Sequence, residues 1–488
     1  MRPRDVTSVT GRDGGDVPPG GEVAAPPPGG RARLVRGQTV DLVAGEAAHG
    51  GWCVARLPGG DGDGPGPVVF VRHALPGERV RARITETTSR FARADAVEIV
   101  AASPDRVEPP CPYARPGGCG GCDWQHASLP AQRELKASVL RQQLNRIAGL
   151  DWPVTVQALP GDEAGAAEPA GSAAAGGAGP GLGWRTRVKF AVRDDGVAGL
   201  RAHRSHEVVA VDDCLIAHRG IRDLGVTRRP WPRATSVEAA VATGSGERAV
   251  IASGRVSPAD LKGVTAETVI AAGGRRGPGG GRVTVVRGRS HLRQRAAGRS
   301  WRVSAAGFWQ VHPSAADTLA RVVLEALRPE PGDTALDLYC GAGLFAGVLA
   351  EAVGPGGAVI GVEASSPAVR DARRNLRDVP WATVYQGDAT EVIARGALPA
   401  ARLAVLDPPR TGAAREVIEF LAGGDGTAGA AGGPRRVAYV SCDPATLARD
   451  IALFIRTGWR LEDVRAFDAF PMTHHMECVA TLVSGRGA

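Results

Sequence analysis

Hydrophobic residues follow different patterns in successive parts of the chain. From Gln38 to about Pro104, short valine-rich runs such as TVDLVAG and PVVFVRHA are separated by Gly, Pro and Asp, which is typical of a small antiparallel β-barrel. Further on, LPAQRELKASVLRQQLNRIAG carries apolar residues at helical spacing and ends at a glycine, which predicts one amphipathic helix. We expect the Arg and Lys side chains of this helix to form a solvated face.

From about Pro331 onward, predicted strands alternate with predicted helices. The strands are TALDLYCG, AVIGVEA, ATVYQGDA, ARLAVLDPPR and RVAYVSCD, and segments such as LFAGVLAEAVG and PATLARDIALF supply helices between them. This alternation predicts a doubly wound α/β domain on a mostly parallel sheet. Ligands of such domains bind where the carboxyl ends of the strands meet, so the residues that follow each strand are the candidates for chemistry.

Composition divides the chain further. Its 488 residues exceed the usual size of one domain. Residues 1–37 are rich in Gly, Pro and Arg, and residues 161–183 are almost entirely Ala, Gly and Pro, so neither stretch can bury enough apolar surface to fold. We therefore predict a disordered leader over 1–37, a β-barrel over 38–104, a central domain over 105–310 with a flexible insertion at 161–183, and the α/β domain over 311–488.

The charge balance favours an acidic partner only mildly. The formal net charge is +8 and the pI is about 9.4, which suits RNA but also occurs in proteins that bind nothing acidic. WRTRVKFAV places Arg185, Arg187 and Lys189 on one side of a predicted strand, where they would either contact phosphates or form ordinary surface. The sequence shows neither a secretory signal nor an apolar run of about 20 residues. We expect a cytoplasmic monomer without a membrane partner.

The first strand of the α/β domain leads into a glycine-containing turn. Gly341 and Gly343 let the backbone approach a ligand, Glu363 ends the second strand where an acid reaches ribose hydroxyls, and Asp388 follows the third strand. An ordinary strand-to-helix turn is the alternative, but the combination favours an adenosine-containing cofactor. The third glycine of the dinucleotide fingerprint is missing, which favours S-adenosylmethionine over NAD.

Two further strands end at an acid and a thiol. Asp407 follows the fourth strand, and Cys442 follows the fifth. An isolated cysteine is often simply buried, but a thiolate at this edge can add to C6 of uracil and make C5 nucleophilic. A base must then remove the C5 proton. Glu477 is the best candidate, and His474 and His475 are close rivals.

Four cysteines form a candidate metal site. Cys111, Cys119 and Cys122 are clustered, and the distant Cys214 completes a set of four soft ligands. Their spacing leaves zinc, a [4Fe-4S] cluster and a metal-free arrangement open. The eight cysteines of the chain are too few for a disulfide scaffold of this length.

Several motifs together resemble one family. LDLYCGAGLF, GVEAS, VLDPPRTGA, YVSCDPATLARD and DAFPMTHHMECVATL are similar to successive motifs of the RNA uracil-5-methyltransferases, and VVFVRHALPGERVRAR resembles the TRAM domain, an OB-like RNA-binding barrel. GFWQVHP resembles the family's Phe-x-Gln-x-Asn segment. The resemblance implies that Cys442 is the nucleophile and Glu477 the base. It also implies cofactor-binding roles for Gln310, Tyr339, Glu363 and Asp407.

The resemblance also decides between the metals. The ribosomal-RNA branch of the family carries an iron-sulfur cluster together with a TRAM domain, and the transfer-RNA branch typically lacks both. It therefore implies a [4Fe-4S] cluster on the four cysteines and 23S ribosomal RNA as the partner. The chain departs from the family where Leu344 and His312 replace asparagines, and the gap from Cys111 to Cys119 is longer than usual.

The expected fold class is α/β: a doubly wound Rossmann-like methyltransferase domain with an N-terminal OB-like β-barrel (TRAM) and a central cluster-binding α+β domain. A tRNA uracil-5-methyltransferase, an RNA cytosine-5-methyltransferase and a non-catalytic RNA-binding protein are the alternatives. Cys442 after the fifth strand disfavours the cytosine enzyme, and its occurrence together with Glu477 disfavours a binding protein. Trp124, Phe308 and Trp309 are either stacking platforms for bases or ordinary core residues.

Overall fold

The structure, a computed structural model, describes residues 34–57, 66–162, 179–273, 282–423 and 433–485. Most of the predicted leader and most of the predicted insertion lie outside the described residues. None of the helices within these ranges has the length and apolar character needed to cross a membrane.

The first sheet has six strands in the order β1-β5-β6-β4-β3-β2. They are β1 (Thr39–Val43), β2 (Ala47–Ala48), β3 (Trp52–Arg56), β4 (Val68–Arg72), β5 (Arg79–Thr87) and β6 (Phe91–Ala101). Alternation along β5 places Val80, Ala82 and Ile84 in the core while the arginines between them face solvent. The period-two pattern of the sequence thus produces a half-barrel with one apolar face.

A long helix and a second sheet follow. Helix α1 (Leu129–Gln143) begins at Ser128, whose hydroxyl accepts a hydrogen bond from the Ala131 amide, and a π-helical turn (Leu144–Ala148) and β7 (Val156–Ala158) follow it. The second sheet has the order β10-β9-β8-β11-β12-β13-β14. Its strands and the short helices between them are, in chain order, β8 (Arg187–Val192), β9 (Ala198–Arg201), β10 (Val208–Ala210), α2 (Arg219–Arg222), a 3₁₀ turn (Val226–Arg228), β11 (Ala234–Ala242), β12 (Glu247–Gly254), a 3₁₀ turn (Pro258–Leu261), β13 (Thr268–Gly273) and β14 (Arg282–Arg287).

The last sheet carries the α/β domain. After the hairpin of β15 (His291–Ala296) and β16 (Arg299–Ser304), its elements are α3 (Ala315–Leu327), β17 (Thr334–Leu338), α4 (Leu344–Val353), β18 (Ala358–Glu363), α5 (Ser366–Asn375), β19 (Ala382–Gln386), α6 (Ala389–Ala394), β20 (Leu403–Leu406), α7 (Arg415–Leu421), β21 (Arg436–Ser441), α8 (Pro444–Arg456), β22 (Trp459–Asp468) and β23 (Glu477–Ser484). The strand order is β19-β18-β17-β20-β21-β23-β22-β7. Strands β17 to β21 are parallel, and β23 runs antiparallel between β21 and β22. The order reverses between β17 and β20, where an open α/β sheet binds its ligand.

The segment before the predicted α/β domain contributes to this sheet. Strand β7 pairs in parallel with β22 and becomes the eighth strand, and α1 packs beside α8. The expectation that the cations of α1 lie on a solvated face is wrong for Lys136. Its side chain is fully buried, forms an ion pair with Asp468 and donates to the Phe470 carbonyl, because α1 is covered by the α/β domain.

Candidate active site

A tight turn after β17 forms the floor of the candidate cofactor site. Tyr339 has a φ of 70°, and Gly341 and Gly343 have φ of 55° and 90°, values that favour glycine and make the non-glycine Tyr339 unusual. Glu363, at the end of β18, accepts hydrogen bonds from the Gly341 amide at 3.0 Å and from the Ser365 amide at 2.6 Å. This acid is therefore oriented by the backbone at the mouth of the turn.

Other predicted cofactor residues lie at the same edge of the sheet. Asp388 follows β19 and caps α6 by accepting from the Thr390 amide at 2.9 Å, and hydrogen bonds from the Thr390 hydroxyl and amide lower the pKa of its carboxyl. Burial raises the pKa of Tyr339, with a smaller contribution from Asp388. Asp407 follows β20, and its amide donates to the Leu338 carbonyl. The structure therefore brings Tyr339, Gly341, Glu363, Asp388 and Asp407 to one edge.

Asp337 is a buried acid beneath this turn that the sequence reasoning did not identify. One carboxyl oxygen accepts from the Ala346 amide at 2.7 Å, and the other has no partner among the described residues. Burial, followed by the nearby Asp407 and Glu363, raises the pKa of Asp337 to about 8. The sequence could have identified Asp337, because it is the only acid within the apolar strand ALDL and it precedes the glycine turn.

Cys442 and Glu477 are neighbours across two paired strands. Cys442 follows β21 and Glu477 begins β23, and the antiparallel register pairs Ser441 with Cys478. Glu477 is 4% exposed and Cys442 is half-buried. The candidate nucleophile and the candidate base therefore meet at the carboxyl edge, on the side of β20 away from the glycine turn.

The electrostatics of this pair oppose ionisation. Burial, followed by the Glu477 carboxyl, raises the pKa of the Cys442 thiol to about 12. Burial also raises the pKa of Asp407 to about 7, and burial together with Asp407 raises the pKa of Glu477 well above its usual value. These shifts favour the neutral thiol and the protonated acids over their charged forms.

Arg410 is the cation that counteracts this effect. It follows the two prolines of the LDPPR segment, and its guanidinium lowers the pKa of the Cys442 thiol. Arg410 also opposes the rise in the pKa of Glu477. The sequence reasoning quoted this segment only for Asp407 and missed the arginine, although a cation four residues beyond the strand lies at the same edge.

The two histidines that rival Glu477 have other surroundings. The Nδ1 atom of His474 lies 2.6 Å from a carboxyl oxygen of Asp123, so this ring is held by the segment that carries the cysteines. Burial, followed by His474, lowers the pKa of His475 to about 3. Of the three candidates, Glu477 is the one whose charge acts strongly on the Cys442 thiol.

Gln310 lies in the connection between β16 and α3, where it is buried. Its neighbour Trp309 packs against the core of the α/β domain, and Trp124 is 2% exposed, so these two aromatics are core residues. Phe308 is 68% exposed. It is the one member of the three candidate stacking aromatics that presents its ring to solvent.

All four predicted metal ligands line one cavity. Cys111, Cys119, Cys122 and Cys214 surround a space of about 470 Å³ together with Arg185, and none of the four is in a disulfide. Burial raises the pKa of Cys122 and Cys214, the latter to about 11, and nearby thiols add to both effects. Within the described part of the chain, no three His, Cys, Asp or Glu side chains converge as they would on a single metal ion.

The nucleophile loop also contacts the N-terminal barrel. Asp443 caps α8 by accepting from the Ala445 and Thr446 amides, and its second oxygen lies 3.0 Å from His49 Nε2, between β2 and β3. Burial acts to raise the pKa of Asp443, but the hydrogen bonds from His49 and Thr446 outweigh it and lower this pKa to about 2. The barrel therefore reaches the residue next to Cys442.

The fold and the site together define a class of protein, a Rossmann-like methyltransferase with an N-terminal TRAM domain. The model of the TRAM domain matches residues 33–97. The model of tRNA (Uracil-5-)-methyltransferase matches residues 400–484, which include Cys442 and Glu477. The model of protein-L-isoaspartate(D-aspartate) O-methyltransferase matches residues 303–395, which include the glycine turn.

Relatives that match almost end to end show the family. A Streptomyces coelicolor protein described as an uncharacterized RNA methyltransferase is 49% identical over 453 residues, which are 91% of this chain and 93% of the relative. A Bifidobacterium longum protein of the same description is 34% identical over 89% of this chain and 94% of its own length. The chain belongs to this family of S-adenosylmethionine-dependent RNA methyltransferases, and its residues 400–484 are similar to the uracil-5-methyltransferase model.

A solved structure shares the fold over the same extent. The crystal structure of Pyrococcus abyssi tRNA (uracil-54, C5)-methyltransferase in complex with S-adenosyl-L-homocysteine covers 91% of this chain and 100% of its own, with a TM-score of 0.64 and 22% identity. At this identity the comparison supports the architecture alone.

Proposed function

We propose that the protein methylates C5 of a uridine in ribosomal RNA, 23S RNA in particular, through a covalent bond between Cys442 and C6 of the base. The observation that carries this proposal is the juxtaposition of Cys442, Glu477 and Arg410 at the carboxyl edge of the sheet. A thiol, an acid and a cation at one edge suit addition to a ring carbon followed by removal of a proton.

The chemistry assigns one role to each group. The Cys442 thiol gives up its proton to solvent and its sulfur bonds to C6, while the C5–C6 electrons move to form an enolate. C5 of this enolate would take a methyl group from the donor, whose methyl–sulfur bond breaks to leave a neutral thioether. When bound, S-adenosylmethionine supplies that methyl group on a sulfonium ion. Glu477 then takes the proton from C5, the C5–C6 double bond forms again, and the C6–S bond breaks to release the Cys442 thiolate.

The residues at the glycine turn fit an adenosine-containing methyl donor. Each carboxyl oxygen of Glu363 accepts from one backbone amide, and Asp337 below it has a buried oxygen without a partner among the described residues. Tyr339, Gly341, Asp388 and Gln310 complete the proposed set. The positive charge of the donor's sulfonium, if bound beside Asp407, would favour ionisation of both Asp407 and Glu477. An ionised Glu477 could then accept the C5 proton.

Two observations bear on the RNA. The TRAM domain and the four cysteines around one cavity are the combination expected of the ribosomal-RNA branch, and they support 23S RNA. Transfer RNA is the second candidate, because the matching family model is that of a tRNA (uracil-5-)-methyltransferase.

Incubation of purified protein with labelled S-adenosylmethionine and mixed RNA, followed by mass mapping of the RNA, distinguishes the two substrates. Label at uridine C5 in 23S RNA supports the proposal. Label at uridine C5 in tRNA instead would mean that tRNA is the substrate. Label on cytosine, or no label at all, would contradict the proposed chemistry.

Arg410→Met is expected to slow the reaction most at low pH. Because Arg410 lowers the pKa of a thiol that is already raised to about 12, its loss raises that pKa further, and kcat/KM at neutral pH falls about tenfold or more. The pH profile of kcat/KM, which rises with pH as the thiol ionises, moves to higher pH. Arg410→Lys restores part of the rate. Arg415→Met, which removes an exposed cation on α7, serves as control, and coincident profiles for wild type and Arg410→Met would exclude this role.

Phe308→Ala is expected to weaken RNA binding without changing the chemistry. Stacking of a base on an exposed ring contributes about 1–3 kcal/mol, so KM for RNA rises about tenfold while kcat at saturating RNA is retained. Phe308→Tyr keeps the ring and the affinity. Steady-state kinetics of both variants against Val283→Ala, which shortens an exposed side chain on β14, test this. An unchanged KM for Phe308→Ala would assign the ring no part in RNA binding.

The four cysteines are expected to hold a [4Fe-4S] cluster. The four thiols line one cavity together with Arg185, and soft thiolate ligands suit an iron-sulfur cluster. Anaerobically purified protein should contain four iron and four sulfide per chain, and Cys122→Ser should lose both. One zinc per chain, or no metal at all, would contradict this assignment.

A further inference from the structure

The loop that leads to Glu477 is held by the segment that begins at Cys122. We call residues 469–476 the base loop and residues 122–136 the cysteine segment. The Met472 carbonyl accepts hydrogen bonds from the Asp123 amide at 3.0 Å and the Trp124 amide at 3.1 Å. His474 contacts the Asp123 carboxylate with its amide at 3.2 Å and its ring Nδ1 at 2.6 Å. The first two residues after Cys122 therefore bind the middle of the base loop.

Helix α1 binds the same loop from a second side. The Gln132 side-chain oxygen accepts from the Met472 amide at 2.7 Å, and its NH₂ group donates to the Ala127 carbonyl at 2.9 Å and lies 3.3 Å from the Met472 sulfur. Lys136 binds the start of the loop through Asp468 and the Phe470 carbonyl. Gln132 and Lys136 are completely buried, so these contacts are shielded from water.

The conformation of the base loop depends on partners outside it. Met472 has a φ of 69°, a left-handed conformation that non-glycine residues rarely adopt. Both of its backbone polar groups are bound by the cysteine segment, whereas the hydrogen bonds inside the loop join Thr473 with Phe470 and with His475. Without the cysteine segment, nothing in these contacts favours the left-handed residue.

We infer that the cysteine segment is a positioning element for the catalytic base: Asp123 and Gln132 hold the base loop so that Glu477 lies against Cys442. The inference rests on the proposed function and deepens it. Because Asp123 directly follows Cys122, any group that binds Cys122 also restrains this contact. The segment thereby couples the cysteine site to one step, proton removal, and leaves addition and methyl transfer untouched.

Gln132→Met tests this in the full-length protein, since methionine fills a similar volume but has no oxygen to accept from the Met472 amide. A displaced base slows only the step that resolves the covalent enzyme–RNA complex. Multiple turnover is expected to fall about 10²-fold, as for a catalytic group displaced by about 1 Å. Methyl transfer in a single turnover remains within about twofold, and an SDS-stable, methylated protein–RNA adduct accumulates as it does in Glu477→Gln. Gln143→Met, half-buried on the same helix, is the matched control and accumulates no adduct.

A second variant covers the case in which Gln132→Met does not fold, as judged by its thermal transition. Asp123→Asn keeps the shape of the side chain but loses its charge toward His474, and it is expected to accumulate the same adduct with its iron content unchanged. If Glu477→Gln accumulates adduct but neither Gln132→Met nor Asp123→Asn does, the inference is overturned. The proposed function is not affected by that outcome. No methylated uridine from wild type and no adduct in Glu477→Gln overturns the proposed function itself. Faster hydrogen exchange of residues 469–476 in folded Gln132→Met supports the inference independently of activity, and unchanged exchange counts against it.

Discussion

Cys442→Ala is expected to lose RNA methylation by about 10⁴-fold or more, the scale seen when a covalent nucleophile is removed. C5 of uracil is a poor nucleophile, and it becomes reactive only after a group has added at C6. The other groups near this carbon are acids or a guanidinium, and neither can replace a thiolate in that addition. The rate of label transfer from S-adenosylmethionine to substrate RNA, followed over long incubation, measures the loss.

The same variant should still bind RNA and the cofactor. Cys442 is half-buried at the end of β21, and the amides that begin α8 are capped by Asp443, so the loop keeps its shape without the sulfur. Cys53→Ala removes a thiol buried in the barrel and should retain activity. Residual methylation by Cys442→Ala at more than about a hundredth of the wild-type rate would place the nucleophile elsewhere, because no group other than a thiolate is assigned this step.

The sequence predicted much of this geometry because the candidate site residues follow the ends of successive strands. Parallel strands end at one edge, so residues after each strand were expected to meet, and the structure brings Glu363, Asp388, Asp407 and Cys442 together there. The partner of Cys442 is harder to place, because Glu477 arrives on an antiparallel strand whose position between β21 and β22 is set by tertiary pairing. The chemistry of a carboxylate base suggested Glu477, and the choice of this residue over the two histidines rested partly on family resemblance.

The remaining features depend on contacts between distant segments. Strand β7 has three residues, too few for a periodic signal, yet it extends the last sheet. Lys136 looked like a surface cation on an amphipathic helix and is buried because Asp468, over 300 residues later, pairs with it. The left-handed conformation of Met472 has no signature in the sequence, since methionine disfavours it. These are also the contacts through which the central segment reaches the active site.

Glu477→Gln is expected to stop the reaction after methyl transfer. Glutamine is close in size to glutamate but cannot take a proton from C5, so multiple turnover should fall by about 10²–10⁴-fold, the usual contribution of a general base. Enzyme and methylated RNA then remain joined through the C6–S bond. Denaturing gels with RNA labelled from S-adenosylmethionine detect this complex directly, and Glu419→Gln, which changes an exposed acid on α7, should show none.

The physical chemistry of the site makes this outcome specific to the last step. The Glu477 carboxyl is one of the causes that raise the pKa of the Cys442 thiol, so a neutral amide in its place lowers that pKa and does not slow the addition to C6. Adduct should therefore form at least as fast in Glu477→Gln as in wild type at neutral pH, while its decay slows. Normal turnover in this variant would assign the base to His474 or His475, and slow adduct formation would mean that Glu477 acts before methyl transfer. Either result would show that Glu477, although buried beside Cys442, does not remove the C5 proton.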